Sequence, residues 1–112
     1  MPVALALLAL AIMVEVGASA LLPKAEGFTN PGWTTLVVAG YLLAIWLLTI
    51  VVKKMDVSIA YAIWSGVGTA AIAIIGYLWL GEAMSPLKVA GIALIIAGVI
   101  AVNLNIGAAH GA

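Results

Sequence analysis

A single carboxylate, Glu15, lies inside a long apolar stretch close to the start of the chain. No charged residue precedes it, and the next one is Lys24. In an apolar setting desolvation disfavours the charged form of a carboxyl, so this group can take up and release a proton under cellular conditions. It can hold either a proton or a cation, which is the minimum chemistry that a proton-coupled exchange of cations requires. The alternative is a protonated side chain that only forms a hydrogen bond between helices.

The segment 60–70, AYAIWSGVGTA, supplies a second set of candidate residues. Its aromatic and small side chains recur at helical spacing and share one helix face: Tyr61, Trp64, Ser65 and Gly68. Aromatic faces attract organic cations by about 0.5–2 kcal/mol, with the higher figure for desolvated pairs. An aromatic face combined with a membrane acid therefore indicates a site for an organic cation. The alternative is that Tyr61 and Trp64 only pack between helices or lie at the lipid–water interface.

Two more groups of residues extend this candidate pocket. The stretch 33–52 places Tyr41, Ile45 and Trp46 on one helix face. The helical face of Glu15 consists mostly of small side chains, which leave room beside the carboxylate: Leu8, Ala11, Ile12, Ala18, Ser19 and Leu22.

These residues require elements that hold them at membrane depth, and the composition predicts such elements. The chain of 112 residues is 67% hydrophobic and 7% charged, whereas a soluble domain carries about 25% charged residues. Four apolar stretches have roughly the 20 residues that a bilayer-crossing helix needs: 3–22, 33–52, 57–80 and 86–106. We therefore predict an all-α integral membrane protein with one four-helix domain over 1–106. A flexible tail follows at 107–112 and contains an inert His110.

The same composition excludes several other classes of function. No room remains outside the bilayer for a soluble catalytic module, and a chain without cysteine has neither a disulfide framework nor a thiolate metal site. The sequence also lacks a glycine-rich phosphate loop. We expect no enzyme activity, no metal, no cofactor and no nucleic acid partner. A signal peptide ending at ASA, 18–20, is the weaker reading of the first stretch, because a basic n-region is missing.

The lysines carry information about orientation, because basic residues in short loops set which side faces the cytoplasm. Lys53 and Lys54 fall on the side of the N-terminus, whereas Lys24 and Lys88 fall on the opposite side. This even balance predicts that both orientations occur and that up and down copies can pair. The alternative is an even split by chance.

Two pairs of glycines are candidates for structural roles in such an assembly. Gly66 and Gly68 weaken their helix locally, which predicts a hinge. Gly91 and Gly98 share one face of the fourth helix, and small residues allow helices to approach closely in lipid. We predict a dimer interface there. The alternative is that these are ordinary glycines of a membrane helix.

With these features taken together, the chain resembles members of the small multidrug resistance family. The resemblance covers nearly the whole chain and rests on Glu15, EGFT at 26–29, AYAIWSGVG at 60–68, the Gly91–Gly98 spacing and Asn103. It implies an antiparallel, dual-topology homodimer with alternating access in the inner (cytoplasmic) membrane of a bacterium, driven by the proton gradient. It also implies that proton and substrate share Glu15, with Tyr61 and Trp64 lining the site and Tyr41 and Ser19 nearby.

Details of the pocket resemble the multidrug, quaternary-ammonium branch more than the guanidinium-exporting branch. The guanidinium branch typically has Trp where Ala18 stands and tends to carry Thr in place of Ser65. A small residue at position 18 predicts a wider pocket that accepts bulky aromatic cations. Three departures concern loops: Pro23 replaces a usual Lys, NPGW at 30–33 lacks a usual Arg, and Glu82 replaces a neutral residue.

The expected function is therefore a proton-coupled antiporter that exports hydrophobic organic cations such as quaternary ammonium compounds and cationic dyes. The alternative within the family is an exporter of guanidinium or polyamines. Outside the family, the alternatives are a subunit of a rotary proton ring and a non-transporting membrane assembly subunit. Ring subunits usually have two helices, and an assembly subunit would show no competition between protons and cations.

Overall fold

Five helices make up the part of the chain that the computed structural model describes, residues 2–104. They are α1 Pro2–Ala20, α2 Leu22–Ala25, α3 Pro31–Val51, α4 Val57–Trp79 and α5 Pro86–Leu104. By length and composition α1, α3, α4 and α5 can each cross a membrane, whereas α2 is a single turn. The described residues confirm the prediction of an all-α chain, with four helices that are long and apolar enough to span a membrane.

The observed helix bounds differ from the predicted ones mainly at the first stretch. The stretch 3–22 is divided, because α1 ends at Ala20 and α2 begins at Leu22. Pro23 has no N–H to donate to a helical hydrogen bond, which favours an interruption at this point. The predicted end of the fourth helix at 106, the tail 107–112 and His110 lie outside the described residues.

Contacts within the chain define two compact units, Met1–Met55 and Asp56–Ala112. The first contains α1, α2 and α3, and the second contains α4 and α5. The single four-helix domain over 1–106 stays a prediction.

In the first unit α1 packs along α3. The buried side chains form one stripe on each helix: Leu8, Ala11, Ile12 and Val16 on α1, and Val37, Ala44, Leu47 and Val51 on α3. The outer face of α3 remains apolar and exposed, with Leu42 at 64% and Trp46 at 59%. Since lipid is as apolar as these side chains, helices associate there through close packing rather than through the hydrophobic effect. The small residues in the stripe make that close packing possible.

A tight turn joins α2 to α3. Glu26, Gly27 and Phe28 all have positive φ angles, of 52°, 68° and 65°. Left-handed backbone costs about 1–2 kcal/mol for a residue other than glycine, so two of these three positions are strained. Asn30 then caps α3, because its Oδ1 accepts a hydrogen bond from the Trp33 N–H at 3.3 Å.

In the second unit both helix ends at the connection between α4 and α5 are capped. The Leu80 and Glu82 N–H groups both donate to the carbonyl of Gly76, and Gly81 adopts a φ of 72°. This is the usual way of ending a helix with a left-handed glycine. At the start of α5, Ser85 Oγ accepts a hydrogen bond from the Lys88 N–H at 3.1 Å. The side chain of Glu82 lies over Gly76 and fills the space that a side chain at position 76 would need.

Candidate functional site

Glu15 lies in the interior of α1 and is half-buried. At 1.5 Å per residue it is about 18 Å along the helix from Val3, close to the middle of a bilayer core roughly 30 Å thick. Within residues 2–104 no hydrogen bond or ion pair reaches its carboxyl group. A membrane carboxyl that no internal partner satisfies is available to a proton or to a cation from outside the chain.

Ser19 and Tyr41, two of the predicted pocket residues, are brought together by the packing of α1 on α3. Ser19 Oγ and the Tyr41 hydroxyl lie 2.9 Å apart and share a part-buried hydrogen bond. Ser19 follows Glu15 by four residues, so it lies one turn away on the same helix face. The tyrosine hydroxyl is therefore held one helical turn from the carboxylate.

The close approach that permits this bond occurs at Gly40, the residue before Tyr41. A Cβ added at Gly40 would lie 3.0 Å from the Cβ of Ala18 and 3.9 Å from the Val14 carbonyl oxygen. The first distance is shorter than ordinary van der Waals contact, which is roughly 3.5–4.0 Å between carbon atoms. The sequence analysis did not identify Gly40; a glycine adjacent to a candidate tyrosine in a membrane helix was the available signal.

The face of Glu15 is more densely packed than the sequence predicted. Four residues expected to leave open space beside the carboxylate are buried: Leu8, Ala11, Ile12 and Ala18. Ala18 faces Gly40 of α3, so its small size serves helix packing within the protomer. Small side chains on one helix allow a second helix to pack closely against it. The wider pocket inferred from Ala18 stays a prediction.

The remaining pocket candidate of the first unit, Ile45, lies outside the buried stripe of α3 and is 58% exposed. It is one helical turn from Tyr41, as the spacing indicated. In the same unit, Lys24 of α2 has its Nζ 5.3 Å from the centre of the Trp33 ring. This cation–π contact joins α2 to the first turn of α3, where Trp33 lies.

In the second unit the predicted aromatic face of α4 is largely available. Tyr61 is 68% exposed, Trp64 is half-buried and Ser65 is exposed. All three belong to one uninterrupted helix, α4. Their proposed role beside Glu15 stays a prediction.

The two glycines predicted to form a hinge occupy different environments. A Cβ at Gly66 would collide with the side chain of Val99 on α5, whereas a Cβ at Gly68 would meet only Trp64 Cδ1, at 3.7 Å. Gly66 is therefore required for the packing of α4 on α5, a role that the sequence analysis did not assign. Val99 is the buried hydrophobic residue of α5 in this contact.

Gly91 and Gly98, the predicted interface glycines, lie on an open surface of the described chain. No atom lies within 4 Å of a Cβ added at either position. Gly98 is exposed and Gly91 is half-buried, whereas Val99 on α5 is buried against α4. The geometry leaves this face free for another helix.

No three His, Cys, Asp or Glu side chains between 2 and 104 are grouped so that they could hold a metal ion.

Comparison with known proteins shows to which family the chain is similar. Residues 3–95 match the family described as Small Multidrug Resistance protein. The chain belongs to the small multidrug resistance family. This assignment rests on a match that includes α1 to α4 and the beginning of α5.

Relatives within the family are similar over most of their length. The multidrug resistance protein EbrB of Bacillus atrophaeus is 49% identical over 96 residues, which cover 86% of this chain and 82% of the relative. The nicotine metabolites export pump subunit NepA of Paenarthrobacter nicotinovorans is 44% identical over 101 residues, with coverage of 90% and 87%. The multidrug resistance protein mmr of Mycobacterium leprae is 47% identical over 95 residues, with coverage of 84% and 89%.

Membership in the small multidrug resistance family makes the chain a multi-pass membrane protein of a transporter family. The resemblance inferred from Glu15 and the AYAIWSGVG segment is thereby confirmed at the level of the family.

Proposed function

We propose that this small multidrug resistance protein is an antiporter that exports hydrophobic organic cations in exchange for protons. Substrates of this class include quaternary ammonium compounds and cationic dyes. The observation that carries the proposal is the half-buried Glu15 in the interior of a membrane-spanning helix, with no internal partner among residues 2–104. A charged side chain at this depth costs about 3 kcal/mol on insertion scales, so the carboxyl is neutralised by either a proton or a cation.

Competition for this carboxyl couples the two fluxes. A cation that binds Glu15 from the cytoplasm or the inner leaflet displaces the proton, and an external proton later displaces the cation. Because the two ligands exclude each other, alternating access with one of them bound at a time exchanges one for the other. Proton and cation binding are thermodynamically linked, so each weakens the other by the same factor.

The polar and aromatic side chains serve orientation and affinity. The hydrogen bond between Ser19 and Tyr41 holds a tyrosine ring one turn from Glu15. Tyr61 and Trp64 offer exposed or half-exposed aromatic faces on α4, and each cation–π contact contributes about 0.5–2 kcal/mol. A flat or bulky aromatic cation gains more from such faces than a small hydrophilic one.

The transporting unit in this proposal is an antiparallel homodimer in the cytoplasmic membrane of a bacterium. Two lysines on each side leave the orientation of the chain unbiased. The open face of α5, with Gly91 and Gly98, provides a surface on which a second copy can pack. Antiparallel pairing makes the inward-open and outward-open states equivalent arrangements of the same dimer, which suits alternating access.

A second candidate for the assembly is an unequal pair of related chains. One relative, at 44% identity, is named a pump subunit. Cross-linking of the protein expressed alone distinguishes the two assemblies, because a homodimer is active and cross-linked without a second gene product. Loss of activity on expression alone, with recovery on adding a related chain, would support the unequal pair.

The central experiment measures cation binding and transport in proteoliposomes. We expect tetraphenylphosphonium to change the tryptophan fluorescence of the purified protein, with an affinity that falls as the pH is lowered. A proton gradient should drive its uptake. Glu15→Gln should abolish both effects in a dimer that remains folded. Glu26→Gln is the matched control, because it removes a carboxyl from the loop between α2 and α3, outside the membrane spans. Proton-driven uptake by Glu15→Gln would refute the proposal.

A further inference from the structure

The contact between Gly40 and Ala18 is the tightest approach of α3 to α1 among the glycine positions of the first unit. Ala18 contributes a Cβ that is fixed to its backbone and cannot rotate away. Any side chain at position 40 would therefore push the two helices apart rather than displace a flexible group. Gly40 and Ala18 directly precede Tyr41 and Ser19, the two residues whose hydroxyl groups are bonded.

We infer that Gly40 is a positioning residue of the substrate site, which acts through Ala18 to hold Tyr41 in its hydrogen bond with Ser19. A hydrogen bond between two hydroxyl groups extends over roughly 2.5–3.0 Å, and this one is 2.9 Å long. A separation of the helices by a few tenths of an ångström is enough to take it beyond that range. The packing contact and the polar contact are thus coupled.

The consequence for substrate binding is preorganisation of the Tyr41 ring. A tyrosine that is tethered before the cation arrives does not lose side-chain freedom when the cation binds. Releasing it adds an ordering cost to each binding event, which corresponds to a loss of affinity of about 2- to 10-fold. Gly40 itself touches neither proton nor cation in this mechanism; its contribution passes through the Ser19–Tyr41 pair.

The inference rests on the proposed function, since it concerns the cation that binds beside Glu15. Its test uses the full-length protein in proteoliposomes and tetraphenylphosphonium as the probe. Gly40→Ala should weaken binding about 2- to 10-fold. The double variant Ala18→Gly/Gly40→Ala moves the same methyl group from α1 to α3, so affinity should return to within about 2-fold of the original protein. Gly32→Ala is the matched control on α3, because its added Cβ meets only Asn30 Oδ1, at 3.8 Å.

A double-mutant cycle separates positioning from a general loss of structure. Ser19→Ala should weaken binding as much as Gly40→Ala does. The two changes combined should cost no more than either alone, because both act by releasing Tyr41. Ser19→Thr keeps a hydroxyl and should retain most of the affinity. A merely structural role for Gly40 predicts additive losses in the double variant.

A spectroscopic readout tests the same link without any substrate. The protein is labelled with 3-fluorotyrosine, and the Tyr41 signal in the ¹⁹F NMR spectrum is assigned with Tyr41→Phe. In Gly40→Ala this signal should move to the position that it has in Ser19→Ala, and it should return in Ala18→Gly/Gly40→Ala. A Tyr41 signal that Gly40→Ala leaves unchanged would overturn the inference.

The two levels of failure are distinguishable. If the unmodified protein binds tetraphenylphosphonium without any dependence on pH, the proposed function fails, while the fluorine spectra still decide whether Gly40 controls Tyr41. If binding is pH-dependent but Gly40→Ala binds as tightly as the unmodified protein, the inference fails and the proposed function stands.

Discussion

Ser19 on α1 and Tyr41 on α3 share a hydrogen bond of 2.9 Å one helical turn from Glu15. The bond joins the helix that carries the acid to the helix that carries an aromatic ring. Hydroxyl pairs between membrane helices contribute only modestly to stability, because the separated helices also find polar partners. The main value of this bond is therefore geometric: it determines where the Tyr41 ring lies relative to the carboxylate.

The first prediction concerns the energy of this pair. Ser19→Ala and Tyr41→Phe should each lower the free energy of unfolding, and a double-mutant cycle should give a coupling of about 0.6 kcal/mol. The measurement is reversible unfolding in mixed detergent micelles, followed by circular dichroism. Thr35→Ala is a suitable control, because the Thr35 hydroxyl donates to the Pro31 carbonyl within α3 and should show no coupling with Ser19. A coupling near zero between Ser19 and Tyr41 would contradict the assignment.

The second prediction gives the direction of the pH dependence of binding. When Glu15 is protonated the cation must displace the proton, so affinity should be lowest at acidic pH and should rise as the pH increases. The gain should approach tenfold per pH unit for each carboxyl that releases one proton, and it should end once Glu15 is ionised. Isothermal titration with tetraphenylphosphonium across a pH series measures this slope. An affinity that is constant over the range where Glu15 ionises would rule out shared binding.

The third prediction separates the two glycines of α4. Gly66→Ala should destabilise the protein by about 1–3 kcal/mol, because the new methyl group overlaps Val99. Gly68→Ala should leave stability unchanged or raise it by up to about 1 kcal/mol, since the new methyl group makes only an ordinary contact with Trp64 and alanine favours the helix. The measurement is thermal unfolding in detergent.

Val99→Ala provides the control for this comparison. The double variant Gly66→Ala/Val99→Ala should recover part of the stability lost by Gly66→Ala, because the removed methyl groups make room for the added one. If transport falls in Gly68→Ala although its stability is retained, Gly68 acts as the hinge. Equal losses of stability in Gly66→Ala and Gly68→Ala would show that the packing assignment is wrong.

The fourth prediction addresses orientation in the membrane. The even lysine balance predicts that copies insert in both directions. Ser58→Lys and Ala83→Lys each add one positive charge at an exposed position, near opposite ends of α4. They should bias insertion in opposite directions. Because the natural chain lacks cysteine, a single Thr29→Cys reports orientation through labelling from either side. One uniform orientation before any lysine is added would exclude dual topology.

Composition was sufficient to predict the class of the protein and the position of its long helices. Four apolar stretches with few charges predict four membrane-spanning helices, because every backbone amide in lipid must form its hydrogen bond within its own helix. Glu15 was equally evident, since one acid in an apolar helix is conspicuous in the sequence alone. Tyr41 and Ser19 were associated with it only as neighbours, by helical spacing and by resemblance.

Only the tertiary structure showed why Ala18 and Gly40 are small and how Ser19 meets Tyr41. Spacing along a helix identifies the residues of one face, but it does not say which residue of another helix lies opposite. Ala18 illustrates the difference: from the sequence its size indicated space for substrate, whereas the protomer shows that it is buried with its Cβ facing Gly40 of α3. Opposing contacts depend on the register and separation of two helices, which arise from the packing of both surfaces together.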